Sequence, residues 1–188
     1  MEGVPLMRLV FAIVFGLVLG GIIHIVTVLG LPRFAADDAF TRVAGYGPDY
    51  RFNPIPRPGS GTPTLPLLDP AFAQYVCRFD LEDGPVRIRG AMPDTFWTVA
   101  VFDGHGVNTY NLSDRSFGQK PLDILVADAE QIAQIRENPP ADFNDLIIVD
   151  WKADDGFAVL RIFAPNASDQ RDADASIAKA TCQTAPLG

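Results

Sequence analysis

Residues 75–89 read Tyr75-Val76-Cys77-Arg78-Phe79-Asp80-Leu81-Glu82-Asp83-Gly84-Pro85-Val86-Arg87-Ile88-Arg89. This stretch decides the fold class. In an extended chain successive side chains point to opposite faces, so Tyr75, Cys77, Phe79 and Leu81 share one face of a strand. Glu82-Asp83-Gly84 is a turn signal, and Val86-Arg87-Ile88-Arg89 resumes the alternation. The pattern predicts strand, turn, strand.

The pattern continues downstream. Met92-Pro93-Asp94 marks a turn, and Phe96 to Phe102 is a nearly continuous apolar run, which predicts a strand covered on both faces. Asp103-Gly104-His105-Gly106 reverses the chain into a strand from Val107 to Leu112, and Leu122 to Val126 forms another. Leu146 to Trp151 and Phe157 to Phe163 give two more. Asp-Gly between apolar runs is the strongest short-range hairpin signal, and it occurs at 83–84, 103–104 and 155–156. Two helices interrupt the strands. Asp128 caps the first, with Gln131 at the capping-box position, Ile132 and Ile135 on one face, and Asn138-Pro139-Pro140 as the stop. Ser168 is the expected cap of an Ala-rich second helix through Lys179, with Cys182 just beyond its end. At least six strands with close turns and no βαβ alternation predict a mainly β domain over 69–188. The expected architecture is an antiparallel β-sandwich, jelly-roll-like, with one or two short helices. Phe79, Trp97, Phe102, Trp151 and Phe163 are among the aromatic residues that supply its core.

Upstream, residues 32–68 contain Pro48, Pro54, Pro56, Pro58, Pro63 and Pro66 with Gly59-Ser60-Gly61. Proline fixes φ and lacks an N–H, so an extended linker or wrapping arm is expected. A short helix from Phe34 to Ala44 is expected near its start. Before it, Leu9 to Leu31 holds no formally charged residue. At ~1.5 Å per residue it covers about 34 Å, enough to cross a bilayer as a single transmembrane helix. Its length and the lack of an Ala-x-Ala site argue against a cleaved signal peptide. Residues 1–8 form a tail on the other side. Gly16, Gly20 and His24 follow at four-residue spacing on one helical stripe, which makes them a candidate helix-packing face. The competing reading is chance, since glycine is common in membrane helices.

The chain of 188 residues has a net charge of −8, and the portion after the anchor fits one domain. An acidic domain is poorly suited to nucleic acid. The two cysteines, Cys77 and Cys182, are not in C-x-x-C. In an oxidising compartment a structural disulfide is the natural reading, with two buried free thiols as the alternative. We expect them to bond and to pin the terminal helix across the sheet.

Catalytic constellations are scarce. His105 between two glycines reads as a solvated turn residue. The sequence holds no Gly-x-Ser-x-Gly, Walker loop or dinucleotide pattern. Its acidic turns do not match a calcium loop, so no catalytic residue, metal or cofactor is assigned. Asn111, Asp114 and Arg115 follow a strand together; they form either a ligand-binding polar cluster or, as the simpler reading, a structural ion pair at a strand end.

With these residues laid out, a family resemblance emerges. Asp69-Pro70-Ala71, Cys77-Arg78-Phe79-Asp80-Leu81, Gly84-Pro85-Val86, Asn111-Leu112-Ser113-Asp114-Arg115, Leu160-Arg161 and the late Cys182 resemble a proteobacterial family catalogued as domain of unknown function 1254. The Leu31-Pro32-Arg33 exit resembles its short membrane-anchored branch. The resemblance implies a β-rich domain in the cell envelope and a companion family of small anchored domains, and it brings no activity. The expectation is a non-catalytic inner-membrane subunit with a periplasmic, protein-binding β domain. The alternative is an envelope enzyme or a sugar- or lipid-binding domain that uses the sandwich surface.

Overall fold

The computed structural model describes residues 6–62, 65–118, 120–143 and 145–187. Helix α1 (Leu6–Ala44) runs for 39 residues. Its segment Met7–Gly30 is 24 residues long, apolar enough to cross a membrane, and 0% buried against the rest of the chain. The helix expected separately at 34–44 is the continuation of α1. Pro32 removes one i→i−4 hydrogen bond, but the helix runs on through it, and Ala35, Ala36 and Ala39 are strong helix formers that favour its continuation. It ends where Gly45 and Tyr46 N–H groups bond back to Arg42 and Val43 carbonyls (both 3.2 Å), a tightened last turn.

The rest is mainly β. One sheet has five strands in the order β1 (Asn53–Pro54), β2 (Phe72–Asp80), β8 (Asp155–Phe163), β4 (Trp97–Asp103), β5 (Asn108–Ser113). The other has four, in the order β7 (Ile147–Asp150), β6 (Leu122–Ala127), β3 (Val86–Gly90), β9 (Thr181–Thr184). The alternation read from the sequence sets the inner faces. Tyr75, Cys77 and Phe79 of β2, Val99 and Val101 of β4, and Leu160 and Ile162 of β8 meet Val86, Ile88, Leu122, Ile124 and Val126 of the second sheet in one buried core.

Every strand pairing among the described residues is antiparallel except β6 with β7, which run parallel with Ile124 opposite Ile147. Helix α3 (Ala129–Glu137) makes that crossover, so one βαβ unit sits inside a sandwich expected to be wholly antiparallel. The predicted capping box is present: Gln131 N–H donates to Asp128 Oδ1 (2.8 Å) and Asp128 N–H to Gln131 Oε1 (3.2 Å). Ile132 and Ile135 bury on the outer face of the second sheet beside Leu125 and Ala127.

Of the three Asp-Gly signals, only Asp103-Gly104 closes a hairpin, between β4 and β5. Asp83-Gly84 ends a 3-10 turn (Leu81–Asp83) through which the chain leaves one sheet for the other. Asp155-Gly156 begins β8 itself. Gly156 is needed for space rather than for a turn: a Cβ there would meet Phe102 O at 2.8 Å and the Phe79 and Trp151 rings at 2.9 Å. The last helix, α4 (Ala167–Ile177), is capped by Asn166 instead of Ser168. The Asn166 Oδ1 accepts from the N–H groups of Ser168 (3.0 Å) and Asp169 (3.1 Å). It stops short of Lys179, and Cys182 lies in a strand, β9, opposite Ile88. Cys77 and Cys182 are disulfide-bonded, with Cα atoms 6.6 Å apart. The bond therefore joins the two sheets, β2 to β9, and does not pin the helix.

Candidate functional site

The outward residues of β2, β4 and β8 need a cover, and the segment from α1 to β2 provides it. Gln74 lies opposite Arg161, Val76 opposite Val159, and Arg78 opposite Phe157. Phe40 and Val43 of α1 pack here with Ile55, Leu65 and Leu68 of the arm against Val76, Phe157, Phe102 and Val159. The arm is tied down along its length. The Ile55 N–H donates to Gln74 O (2.9 Å), extending the two-residue strand β1 on β2. Asn53 Nδ2 donates to Pro48 O (2.8 Å) in the space that a side chain at Gly47 would need. Arg57 donates to Ala164 O (2.8 Å) at the far end. The Tyr50 hydroxyl donates to Asp83 Oδ2 (2.5 Å) and accepts from the Asp80 N–H (3.2 Å). Burial and the Asp83 carboxylate push its pKa up to about 12.

Between the end of α1, the arm and the sheet lies a groove of about 630 Å³. Val43, Ile55, Leu65, Leu68, Phe157 and Val159 make it predominantly apolar. Two polar side chains lie on its floor. Gln74 is only 8% exposed, and its side-chain amide makes no hydrogen bond with any described residue. Arg161 lies over the Phe72 ring (4.6 Å to the centroid), forms no salt bridge among the described residues, and has a buried Nε without an acceptor. Buried amide and guanidinium groups are normally satisfied, so this pair marks a place where an acceptor fits. Leu67, fully exposed and in left-handed backbone (φ 61°), stands at the lip.

On the opposite sheet, Arg87 makes a closed cluster. Its guanidinium donates to both Asp123 oxygens (2.8 and 2.9 Å), to the Asp142 carboxylate and to Asp142 O (2.8 Å), and lies over the Phe143 ring (4.9 Å). The hydrogen bond from Arg87 holds Asp142 below the usual carboxylate range. Four of the five guanidinium N–H directions are used within the protein, so this is a structural cluster.

Asn111 is exposed on β5, Arg115 is exposed in the short helix α2 (Asp114–Phe117), and Asp114 turns into a separate hollow of about 560 Å³ beside Trp97, Asp94 and Lys120. Its Oδ1 is buried there without a donor. Trp151 is a core residue, edge-on to Phe79 and donating to Asp155 O (3.2 Å). His105 is exposed at the β4–β5 hairpin. His24 is exposed on α1, and nothing lies within 4 Å of a Cβ placed at Gly16 or Gly20. Sequence reasoning missed Gln74 and, except as part of a family motif, Arg161. An outward polar residue on an alternating strand reads as solvent-facing, and only the Pro-rich arm upstream hinted that this face is covered.

The family described as a protein of unknown function (DUF1254) matches residues 69–184. The chain belongs to this family. The matched region runs from just before β2 through β9, so it contains both cysteines and every strand of both sheets except β1, while α1, β1 and the arm precede it. Among solved structures, the VPA0106 protein from Vibrio parahaemolyticus is similar in fold, with a TM-score of 0.57 and 16% identity over 80% of this chain and 35% of that one. An uncharacterised protein from Burkholderia cenocepacia matches with a TM-score of 0.49 and 12% identity, over 82% of this chain and 42% of its own. This DUF1254 chain thus spans about a third of the Vibrio protein and under half of the Burkholderia one. No curated protein matches it.

Proposed function

We propose that this DUF1254 protein is a non-catalytic, single-pass subunit of the bacterial inner membrane, with its β domain in the periplasm engaging a protein partner. The observation that carries the reading is the continuity of α1. One helix passes from the apolar segment Met7–Gly30 to Phe40 and Val43, which pack on the β domain. A helical stalk fixes the domain close to the bilayer, where a subunit meets membrane-embedded neighbours. The disulfide agrees with an oxidising compartment. Two surfaces suit a partner. The stripe of Gly16, Gly20 and His24 allows close approach of a second helix. Strand β5 pairs only with β4 among the described residues and offers an open edge for strand addition. The companion small anchored domain implied by the family resemblance is the partner we name.

Cross-linking in native membranes, followed by mass spectrometry, tests this. The expected result is a heteromeric adduct that the double substitution Gly16→Leu, Gly20→Leu weakens while the disulfide still forms. Recovery only as a monomer, under conditions that preserve other membrane complexes, overturns the subunit reading. A fusion after Gly188 to a reporter active only in the periplasm tests orientation, and an inactive reporter there overturns the localisation.

A further inference from the structure

The groove has no role in that reading. We propose that it is a binding site for a long-chain carboxylate, whose chain lies against Val43, Phe157 and Val159 and whose head is received by Arg161 and Gln74. Size comes first: about 630 Å³ lies within the ~300–1,000 Å³ typical of small-molecule sites. The distribution of chemistry comes second. The walls are apolar, and the polar groups are few and sit together, because Gln74 and Arg161 are cross-strand neighbours in the β2–β8 register. The third consideration is the unmet valence. Gln74 is more than nine-tenths buried with an amide that bonds no described residue, and the buried Nε of Arg161 has no acceptor among them. A guanidinium and a carboxamide side by side present planar donors, the arrangement that matches a carboxylate.

Charge selects the anion further. The protein carries −8 overall, yet Arg161, which lines this groove, forms no salt bridge among the described residues. A neutral amphiphile would leave Arg161 without a counter-charge. Supply of the ligand rests on the membrane reading above. Residues 39–43 lie nine to thirteen positions beyond Gly30, so α1 raises the groove about 14–20 Å past the end of the apolar segment. That clears a headgroup layer of ~5–8 Å, so the ligand is a single-chain molecule that has left the bilayer, not a lipid still embedded in it.

The test uses the full chain in phosphatidylcholine nanodiscs and tetradecanoate carrying a mid-chain diazirine. After photolysis, adducts are mapped by mass spectrometry. Adducts are expected at residues 65–68 and 157–159. Unlabelled tetradecanoate should suppress them, and tetradecan-1-ol should need about tenfold more to do so, as loss of a charge-assisted hydrogen bond implies. Arg161→Leu should lower groove labelling about tenfold, and Gln74→Leu by a smaller factor. Val159→Trp, which fills the groove while leaving Arg161 and Gln74 in the chain, should abolish it even if Arg161→Leu does not fold. Adducts confined to residues 7–30 overturn the proposal, as does equal competition by the alcohol or unchanged labelling in Val159→Trp. Whether the chain partitions with lipid is scored separately and bears on the anchor alone; the adduct map is read on whichever fraction holds the protein.

Discussion

Cys77 on β2 and Cys182 on β9 are 105 positions apart in sequence, yet their Cα atoms are 6.6 Å apart across the two sheets. The bond closes a loop that contains most of the domain, and both residues are buried. In the chain-entropy picture a loop of this order restricts the unfolded state by ~4.7 kcal/mol. Cys77→Ala with Cys182→Ala should therefore destabilise the domain by about 2–5 kcal/mol in denaturant titration. Thiol labelling of the unreduced, denatured wild type should find neither cysteine, and full labelling of both contradicts the bond.

Gly156 faces a carbonyl and two aromatic rings at 2.8–2.9 Å from where its Cβ would be. Backbone and packed rings give less readily than a flexible side chain. Gly156→Ala should cost about 1–3 kcal/mol through overpacking, read as a lower midpoint in denaturant. Gly45→Ala serves as a control, because a Cβ there meets nothing closer than 3.4 Å.

Tyr50 couples the arm to the sheet-switching turn through Asp80 and Asp83. Tyr50→Phe should destabilise by about 1 kcal/mol and raise proteolysis within residues 47–62. The pH dependence has a definite sign. The phenol's folded value is about 12, above its ordinary ~10, so folding favours the protonated form. Its contribution is complete below pH ~10 and is lost as pH rises toward 12. Denaturation midpoints at pH 9 and pH 11.5 should differ more for wild type than for Tyr50→Phe.

Arg87 is bound to two carboxylates, and its removal leaves the half-buried Asp123 with only the longer contact to Arg89 (3.6 Å). Arg87→Leu should destabilise by about 2–4 kcal/mol, whereas Arg87→Lys, which keeps the charge but not the planar fork, should fall between. Asp142 is held below its ordinary range, so its contribution is present above pH ~4 and declines as pH falls below that. Asp142→Asn should therefore flatten the acid limb of the stability profile.

The sequence alone determined the local structure wherever periodicity and capping speak directly. The alternation of Tyr75, Cys77 and Phe79 placed a strand and its buried face, Asp128 with Gln131 set the start of α3, and the uncharged run from Leu9 identified the apolar helix. These are readings of period and hydrogen-bond chemistry over a few residues, and they need no knowledge of distant partners. What only the tertiary structure decided is which strands pair and which faces are covered. Asp-Gly at 83–84 and 155–156 has the same local signature as at 103–104, yet only the last closes a hairpin, because the inter-sheet core rather than the turn chooses the partner strand. Strand β9 has four residues and little apolar content, so it forms because β3 offers an open edge opposite Ile88. Gln74 and Arg161 share this origin. Each is one polar residue on an outward face, and they become a site only because β8, read 80-odd positions later, sits beside β2 while α1 and the arm fold over both. Long-range pairing and burial are properties of the whole chain's packing, and no window of a few residues contains them.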